Sequence, residues 1–442
     1  MNLDIKPGQY LFDITHRVPL AFVKGQGSWL ITDTGLRLLD FWNDEGVASM
    51  GYNTPIVQQT AMELLTGMVP HRLPRAYHGP HREYNAALLV SRMGYDDEGD
   101  HGKVFYANSG AEANETAIKL ARLWQTRHGN PDKMGVVTVK GNFHGRTAFA
   151  SACSDSTDSP YHKEGYGPMP AMFGTVDLEL DDSAPHGIRV SLLQGDRLPP
   201  GDDPTLTLED IGALNMAPVL GNNCITTYPR ELFQRLRSWA DANGVLIIFD
   251  DVQAGAGRCG YYSSWQHPDI DMRPDILCLG KGLAMGYPMS AVIALTSIAK
   301  AMTPGTHFNS MAGSEWVCHF STRFIGWLDA HRGEAIVKGA LIEEELLKRD
   351  YIARVTGYGL MRAFDLDYTK VPYTGADFCT ACHAAGLLLM TWRDHGAIRL
   401  NPPMNVDLGD LATAFRMMDA AHAALMQRHG KGVTGDDCGR GA

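Results

Sequence analysis

Between about residues 57 and 295 the chain alternates amphipathic stretches with short runs of nearly continuous apolar character. The runs fall at 104–106, 135–139, 213–217, 245–249, 276–279 and 290–295, each bounded by glycine or polar residues. A strand that is apolar on both faces is buried on both faces, so the pattern predicts a mostly parallel sheet covered by helices, the α/β class. Upstream, residues 20–41 read as short strands with a turn at Asp33-Thr-Gly35. Residues 153–210, rich in Ser, Asp, Pro and Gly, read as a long excursion over the surface. From about 328 a second unit is expected: helix 334–348, a strand near 359–366, helix 374–386, strands near 387–392 and 397–400, and helix 409–427. Residues 430–442 are expected to form a disordered tail.

Composition narrows the class. The 442 residues are 44% hydrophobic and 20% charged, as in an ordinary globular protein. A formal charge of −11 argues against nucleic acid as a partner, because phosphate binding needs a basic stripe. No apolar stretch reaches the roughly 18 residues a membrane span needs, and the N-terminus lacks a basic-then-apolar signal, so a cytoplasmic location is expected. Eight scattered cysteines are too dilute for a disulfide framework. Cys379-Thr-Ala-Cys382-His383 matches the c-type haem attachment string. That attachment requires export, and the segment reads as a helix ending at Gly386, so haem is not expected.

The charged residues at strand ends carry the chemistry. The run at 245–249 leads into Asp250-Asp-Val-Gln253, and the run at 276–279 leads into Gly280-Lys281-Gly282. The carboxyl ends of buried strands are where open α/β sheets bind ligands. A partly desolvated lysine there can lose its proton and attack a carbonyl, and a carboxylate beside it can keep a pyridine nitrogen protonated. The pair suggests pyridoxal 5′-phosphate (PLP), although a lysine between glycines also suits a solvated turn. Ser109-Gly110-Ala111-Glu112 has capping-box spacing and opens a helix to about His128. Such a start is either an anion site or simply a well-capped helix. Gly255-Ala-Gly257-Arg-Cys-Gly260 matches a dinucleotide fingerprint, but no amphipathic helix follows it, so that reading is rejected. Phe143, after a strand, suits either ring stacking or the core. Arg399, within a strand-like stretch, needs a carboxylate partner, whether substrate or protein.

Taken in order, Ser109-Gly-Ala-Glu-Ala113, Phe143-His-Gly-Arg-Thr147, Asp250-Asp-Val-Gln253, Gly280-Lys281-Gly282, His307-Phe-Asn-Ser310 and Arg399-Leu-Asn-Pro-Pro403 resemble the class III aminotransferases of PLP fold type I, across most of residues 18–425. Gly141-Asn-Phe-His-Gly-Arg-Thr147 and Gly165-Tyr-Gly-Pro-Met-Pro170 are most similar to the ornithine aminotransferase branch. The resemblance implies a large domain (57–327) with a mostly parallel seven-stranded sheet. It also implies a small α+β domain built from both chain ends (1–56 and 328–429). Lys281 matches the Schiff-base lysine and proton shuttle, and Asp250 the pyridinium partner. Val252 and Phe143 match the residues that sandwich the ring, with His144 beside them, and Gln253 matches the contact to the phenolic oxygen. Ser109, Gly110 and Ala111 match the phosphate loop. Ser310 stands where a threonine usually reaches the phosphate across a dimer interface, which implies a homodimer. Arg399 matches the arginine that binds a substrate carboxylate, and Arg146 and His78 are further substrate-side candidates.

Two departures stand out. The family's Glu-Pro-x-Gln-Gly string appears as Ala217-Pro218-Val219-Leu220-Gly221, so Ala217 cannot pair with Arg399 as that glutamate does in many members. Glu45, in Trp42-Asn-Asp44-Glu45-Gly46, stands where the ornithine branch has a tyrosine for the α-carboxylate. A carboxylate there would repel an α-carboxylate and attract an ammonium, although Asp44-Glu45 also suits a solvated loop. The expectation is an aminotransferase taking its amino group from glutamate or a similar carboxylate donor and passing it to an aldehyde or ketone on an amine-bearing acceptor such as an amino sugar, aminocyclitol or diamine. Alternatives are ornithine or acetylornithine transamination, a racemase, mutase or eliminase using the same lysine, and a non-catalytic scaffold, against which intact Lys281, Asp250 and Gln253 argue.

Overall fold

The computed structural model describes residues 12, 20–74, 76–155, 163–195, 199, 201–222, 224–391 and 396–430. The expected tail, from 431 onward, lies outside the described residues. The strands in chain order are β1 (Phe22–Gln26), β2 (Trp29–Thr32), β3 (Arg37–Asp40), β4 (Asp96–Asp97), β5 (Asp100–Ala107), β6 (Gly135–Val139), β7 (Phe173–Leu180), β8 (Ile188–Leu192), β9 (Ile211–Met216), β10 (Val219–Leu220), β11 (Thr226–Thr227), β12 (Leu246–Asp250), β13 (Ile276–Leu279), β14 (Ser290–Leu295), β15 (Ile352–Tyr358), β16 (Met361–Leu366), β17 (Leu387–Leu388) and β18 (Ile398–Leu400). The central sheet has the order β4-β5-β14-β13-β12-β9-β6-β7-β8. From β13 through β12, β9 and β6 to β7 every pairing is parallel. β14 is antiparallel to both β13 and β5, so β5 runs with the other five. This is the mostly parallel sheet the sequence predicts, with β4 and β8 added antiparallel at its edges.

Alternation within β12 builds the layers. Leu246 and Ile248 pack with Ala113, Ala117 and Ile118 of the helix Gly110–Arg127. Ile247 and Phe249 belong to the larger core with Phe233 and Leu236 of the helix Arg230–Asn243. Successive side chains of a strand point to opposite faces, so a run buried at every position requires a helix layer on each side. Both layers end at the carboxyl edge of β12, where Asp250 emerges.

The chain's two ends meet in smaller sheets. β17 pairs in parallel with β3, Leu387 opposite Leu39 and Leu388 opposite Asp40, in the order β1-β2-β3-β17. β15-β16-β18 forms a separate three-stranded sheet. Asn401 N donates to Phe41 O at 2.7 Å. That bond fixes the segment after β3 beside Arg399 of β18.

Three features differ from the expected pattern. The excursion at 153–210 contains β7 and β8. The last four residues of β7 are half-buried or exposed and include Asp177 and Glu179, which hides its apolar first half. β15 precedes the expected strand near 359–366 and forms a hairpin with it. The helix Glu315–Leu347 is continuous through the 327/328 position where the second unit was expected to begin. Cys379 and Cys382 lie buried in the helix Gly375–Ala384, and burial pushes the Cys379 thiol up to about 12. After β12 the chain makes successive turns through the Gly255–Gly260 string, with no helix to hold a dinucleotide. Among the described residues no helix is long and apolar enough to cross a membrane.

Candidate active site

The register of β12 against β13, Asp250 opposite Cys278, brings Asp250 and the Gly280-Lys281 turn to one edge of the sheet. Asp250 is buried, and its carboxylate is held from three sides. Oδ2 accepts from Asn114 Nδ2 at 2.9 Å and faces His144 Nδ1 at 2.8 Å, while Oδ1 accepts from Val252 N at 3.1 Å. An ionised carboxylate only accepts, which places the His144 proton on Nδ1. His144 Nε2 then meets Thr138 Oγ1 at 3.0 Å. Asn114 is itself oriented by Asn215 Nδ2, 2.9 Å from its Oδ1. Asn114 and Thr138 were missed at the sequence level. Asn114 was within reach, since it lies one helical turn after Gly110 and therefore faces the same strand end.

The helix Gly110–Arg127 starts beside this carboxylate. Ser109 is its N-cap and accepts from Glu112 N at 3.3 Å, as its spacing predicts. A Cβ on Gly110 would lie 2.7 Å from Val252 Cγ1, and one on Gly145 2.6 Å from the Ala111 Cβ. These contacts explain the small residues around the helix start, whose first N–H groups have no carbonyl partner within the helix. A cavity of about 250 Å³ lies here, lined among others by Gly110, Ala111, Phe143, Val252, Gln253 and Lys281.

Lys281 follows Gly280 with φ of 44°, a left-handed conformation costly for a residue with a Cβ. Its Nζ donates to Glu45 Oε2 at 2.7 Å. The other oxygen of Glu45 accepts from Arg399 Nη1 at 3.3 Å, and Arg399 is only 4% exposed. Glu45 therefore bridges the two cations. Burial alone would raise its pKa, but Lys281, Arg399 and the nearby Arg146 outweigh burial and hold it below the ordinary glutamate range. Ala217 lines the same cavity without a charge. The partner that Arg399 lacks at position 217 is supplied by Glu45.

The residues fit PLP. Phe143, Val252 and Asp250 line the one cavity, and the N–H groups of the capped helix start beside it would hold the phosphate. Gln253 Nε2 is buried without a partner among the described residues, and Gly221 packs against the same side chain. The cavity thus has an unused donor for a ring oxygen. Arg146 places its guanidinium 5.3 Å from the Phe143 ring centre. Five expected residues are not part of this cavity's lining: Ser109, Arg146 and Arg399, each adjoining a residue that is, and His78 and Ser310. The His78 side chain is exposed and pairs with Glu83 at 3.1 Å. Ser310 is exposed on the loop before the helix Glu315–Leu347.

Comparison with known proteins adds the family. The family model described as aminotransferase class-III matches residues 13–422. The acetylornithine aminotransferase of Agrobacterium fabrum is 31% identical over 428 residues, covering 95% of this chain and 98% of that protein. The ornithine aminotransferase of Toxoplasma gondii has a TM-score of 0.79 at 23% identity, covering 95% of this chain and 94% of its own. An amine transaminase from an uncultivated Pseudomonas species, solved in its PLP-bound form, has a TM-score of 0.77 at 22% identity, covering 94% and 99%. At these identities the structural likeness speaks for the fold, PLP fold type I.

Proposed function

The chain belongs to the class III aminotransferases, enzymes that bind PLP, and from that premise we propose an ω-aminotransferase of the ornithine/acetylornithine type with glutamate and 2-oxoglutarate as the second substrate pair. One observation carries the reading: Arg399 and Lys281 converge on a single carboxylate, so the cavity already holds an anion between a binding arginine and the reactive lysine. When bound, PLP supplies the electron sink that takes up the electron pair left as a substrate C–H bond breaks. The chain's own residues do the rest. Asp250, oriented by Asn114 and His144, keeps a proton on the ring nitrogen. Lys281 Nζ takes up and returns the substrate proton. Arg399 fixes a substrate carboxylate through its planar fork.

A second reading is favoured by Glu45 itself. A carboxylate inside the cavity suits an acceptor with a further ammonium group, such as an amino sugar, aminocyclitol or diamine. A panel of half-reactions separates the two. The PLP-loaded protein is mixed singly with glutamate, ornithine, N-acetylornithine, a diamine and an aminocyclitol, and loss of the cofactor's absorbance is followed. Fast loss with ornithine or N-acetylornithine supports the first reading. Fast loss only with the diamine or aminocyclitol supports the second, and no loss with any amine refutes both.

The same reading includes a homodimer in which Ser310 completes the partner's phosphate site. It is supported by exposed apolar side chains on the segments around Ser310 and before the helix Pro80–Arg92: Met68, Tyr77, Phe308 and Met311 are 88%, 67%, 55% and 68% exposed. Apolar side chains gathered into one large patch open to water mark an interface. Sedimentation at micromolar concentration should give twice the chain mass, and a monomer there would overturn it.

A further inference from the structure

We propose that Asn215, inside the sheet, is a positioning residue for the cofactor: acting through Asn114, it fixes the Asp250 carboxylate so that one lone pair, on Oδ1, is left for the ring nitrogen of PLP. The proposal rests on the assignment of Asp250 to that nitrogen. β6 and β9 are buried at every position, and each carries a single polar side chain, Thr138 and Asn215. The two are neighbours in register. A polar group at the centre of a sheet is unfavourable unless it is hydrogen-bonded, so apolar residues would be the stable choice at both positions. Both lead instead to Asp250. Thr138 meets Nε2 of His144, whose Nδ1 faces Asp250 Oδ2. Asn215 reaches the same oxygen through Asn114.

Chemistry fixes which way each amide faces. Asn114 Nδ2 lies 2.9 Å from Asp250 Oδ2 and 3.0 Å from the Gly110 carbonyl oxygen. An ionised carboxylate and a carbonyl only accept, so the NH2 end must face them. Asn114 Oδ1 then needs a donor, and Asn215 Nδ2 supplies it at 2.9 Å. The fully buried Cys153 thiol also lies beside Asn215. A thiol is a weak partner, so the bond to Asn114 is the one that sets the Asn215 amide.

An ionised carboxylate has about four lone-pair positions. Three are in use at Asp250: two on Oδ2, by Asn114 and His144, and one on Oδ1, by Val252 N at 3.1 Å. The position that remains is on Oδ1, and a ring N–H is the kind of donor it suits. The same Asn114 NH2 has a second use. Through Gly110 it ties Asp250 to the start of the helix Gly110–Arg127, where the phosphate would be held. One amide thus joins the two ends of the cofactor site, and Asn215 decides how that amide faces. Without the Asn215 donor, Asn114 Oδ1 is left buried and unpaired, which favours rotation of the amide. A rotated amide withdraws its donor from Asp250, and a half-turn sets its oxygen against Oδ2, acceptor against acceptor. The carboxylate then loses its fixed aim, and an acceptor that must be ordered on binding holds a ring N–H less well.

The test compares two cofactors on the cofactor-free protein: PLP and 1-deazapyridoxal 5′-phosphate, which carries C–H in place of the ring nitrogen. Both have the phosphate and the aldehyde, so folding, phosphate binding and bonding to Lys281 cancel in the ratio of their affinities, measured by equilibrium dialysis at pH 8. The parent should favour PLP. Asn215→Val and Asn215→Ala, neither of which can donate, should each shrink that preference about three- to tenfold. Valine is larger than asparagine and alanine smaller, so a loss common to both reports the donor and not the volume. In an Asn114→Ala background the Asn215 substitutions should leave the ratio unchanged, because the effect runs through Asn114. Equal weakening of both cofactors, or no weakening of either, would overturn the positioning role. A further loss of preference in the Asn114→Ala background would overturn the route through Asn114. A parent that binds both cofactors alike would overturn the Asp250 assignment and the proposal with it. Substrate choice, which the amine panel tests, does not enter these ratios.

Discussion

The two adjacent aspartates at the end of β12 should separate cleanly by function and by pH. Asp250 faces the cavity, whereas Asp251 is fully buried on the other side, where Oδ2 accepts from Ser263 Oγ at 2.7 Å and Ser264 N at 2.8 Å. Burial pushes its pKa up from 3.8 to about 6, more than the two serines lower it, with Asp250 adding repulsion. A rise of about two units is a penalty of roughly 3 kcal/mol on the ionised form. The folded value lies above the unfolded one, so this penalty is absent below pH 3.8, grows as pH rises, and is complete above about pH 6. About 1.4 kcal/mol of it falls between pH 5 and 8. Asp251→Asn removes the titration and keeps an oxygen for the serines. Its new NH2 takes the place of Oδ1, which has no partner among the described residues, at a pH-independent cost of about 1–3 kcal/mol. The readout is therefore the slope. Urea unfolding of both cofactor-free proteins at one concentration, from pH 5 to 8, should show the variant gaining about 1.4 kcal/mol on the parent as pH rises. Parallel curves, or a parent that gains with pH, would refute the buried-carboxylate reasoning.

Borohydride reduction of the PLP-loaded protein followed by peptide mapping should find the label on Lys281, and a label on any other lysine would displace it from the reaction. Asp250→Asn should lose nearly all turnover while Asp251→Asn keeps most of it at pH 8. Near-normal turnover of Asp250→Asn would mean the strand end is misassigned. Arg399→Lys keeps the charge but forfeits the planar fork, and should slow the glutamate half-reaction by about 10- to 150-fold, the equivalent of roughly 1.5–3 kcal/mol. A loss of equal size with a diamine would make Arg399 structural rather than a carboxylate reader.

How much of this was legible in the sequence depends on how local the cause is. Of the six strands read from apolar runs, β6, β9, β12, β13 and β14 appear within a few residues of their observed bounds, because burial on both faces leaves few polar positions to disturb the pattern, whereas β5, read only at 104–106, extends back to Asp100 through His101 and Lys103. Lys281, Asp250 and the Ser109–Ala111 loop drew attention for a related reason, since each sits at or just beyond the end of such a run, whereas Val252 and Gln253 were singled out only through the family resemblance. β7 was not, since its outer half includes Asp177 and Glu179. Of the helix Glu315–Leu347 only the part from 334 was read, and the helix passes unbroken through the polar stretch Asp329-Ala-His-Arg-Gly333 before it. Glu45 was singled out, but its partners were not. Its contacts with Lys281 and Arg399 span 236 and 354 positions of chain and depend on the left-handed run at 43–46. Asn43, Asp44 and Gly46 are the residue types that tolerate that conformation best, so the turn left a faint trace, while the contact it creates left none.

The exchange between positions 217 and 45 has a physical logic of its own. A buried guanidinium needs an anion close by, because an uncompensated charge of that kind is strongly destabilising. That requirement fixes the charge and the distance but not the element that delivers them. Where the resemblance would place a glutamate just after β9, at the edge of the central sheet, this chain has Ala217, and the anion comes instead from the turn after β3. Glu45 also reaches Lys281, as its 2.7 Å contact shows. The substitution thus changes more than an address.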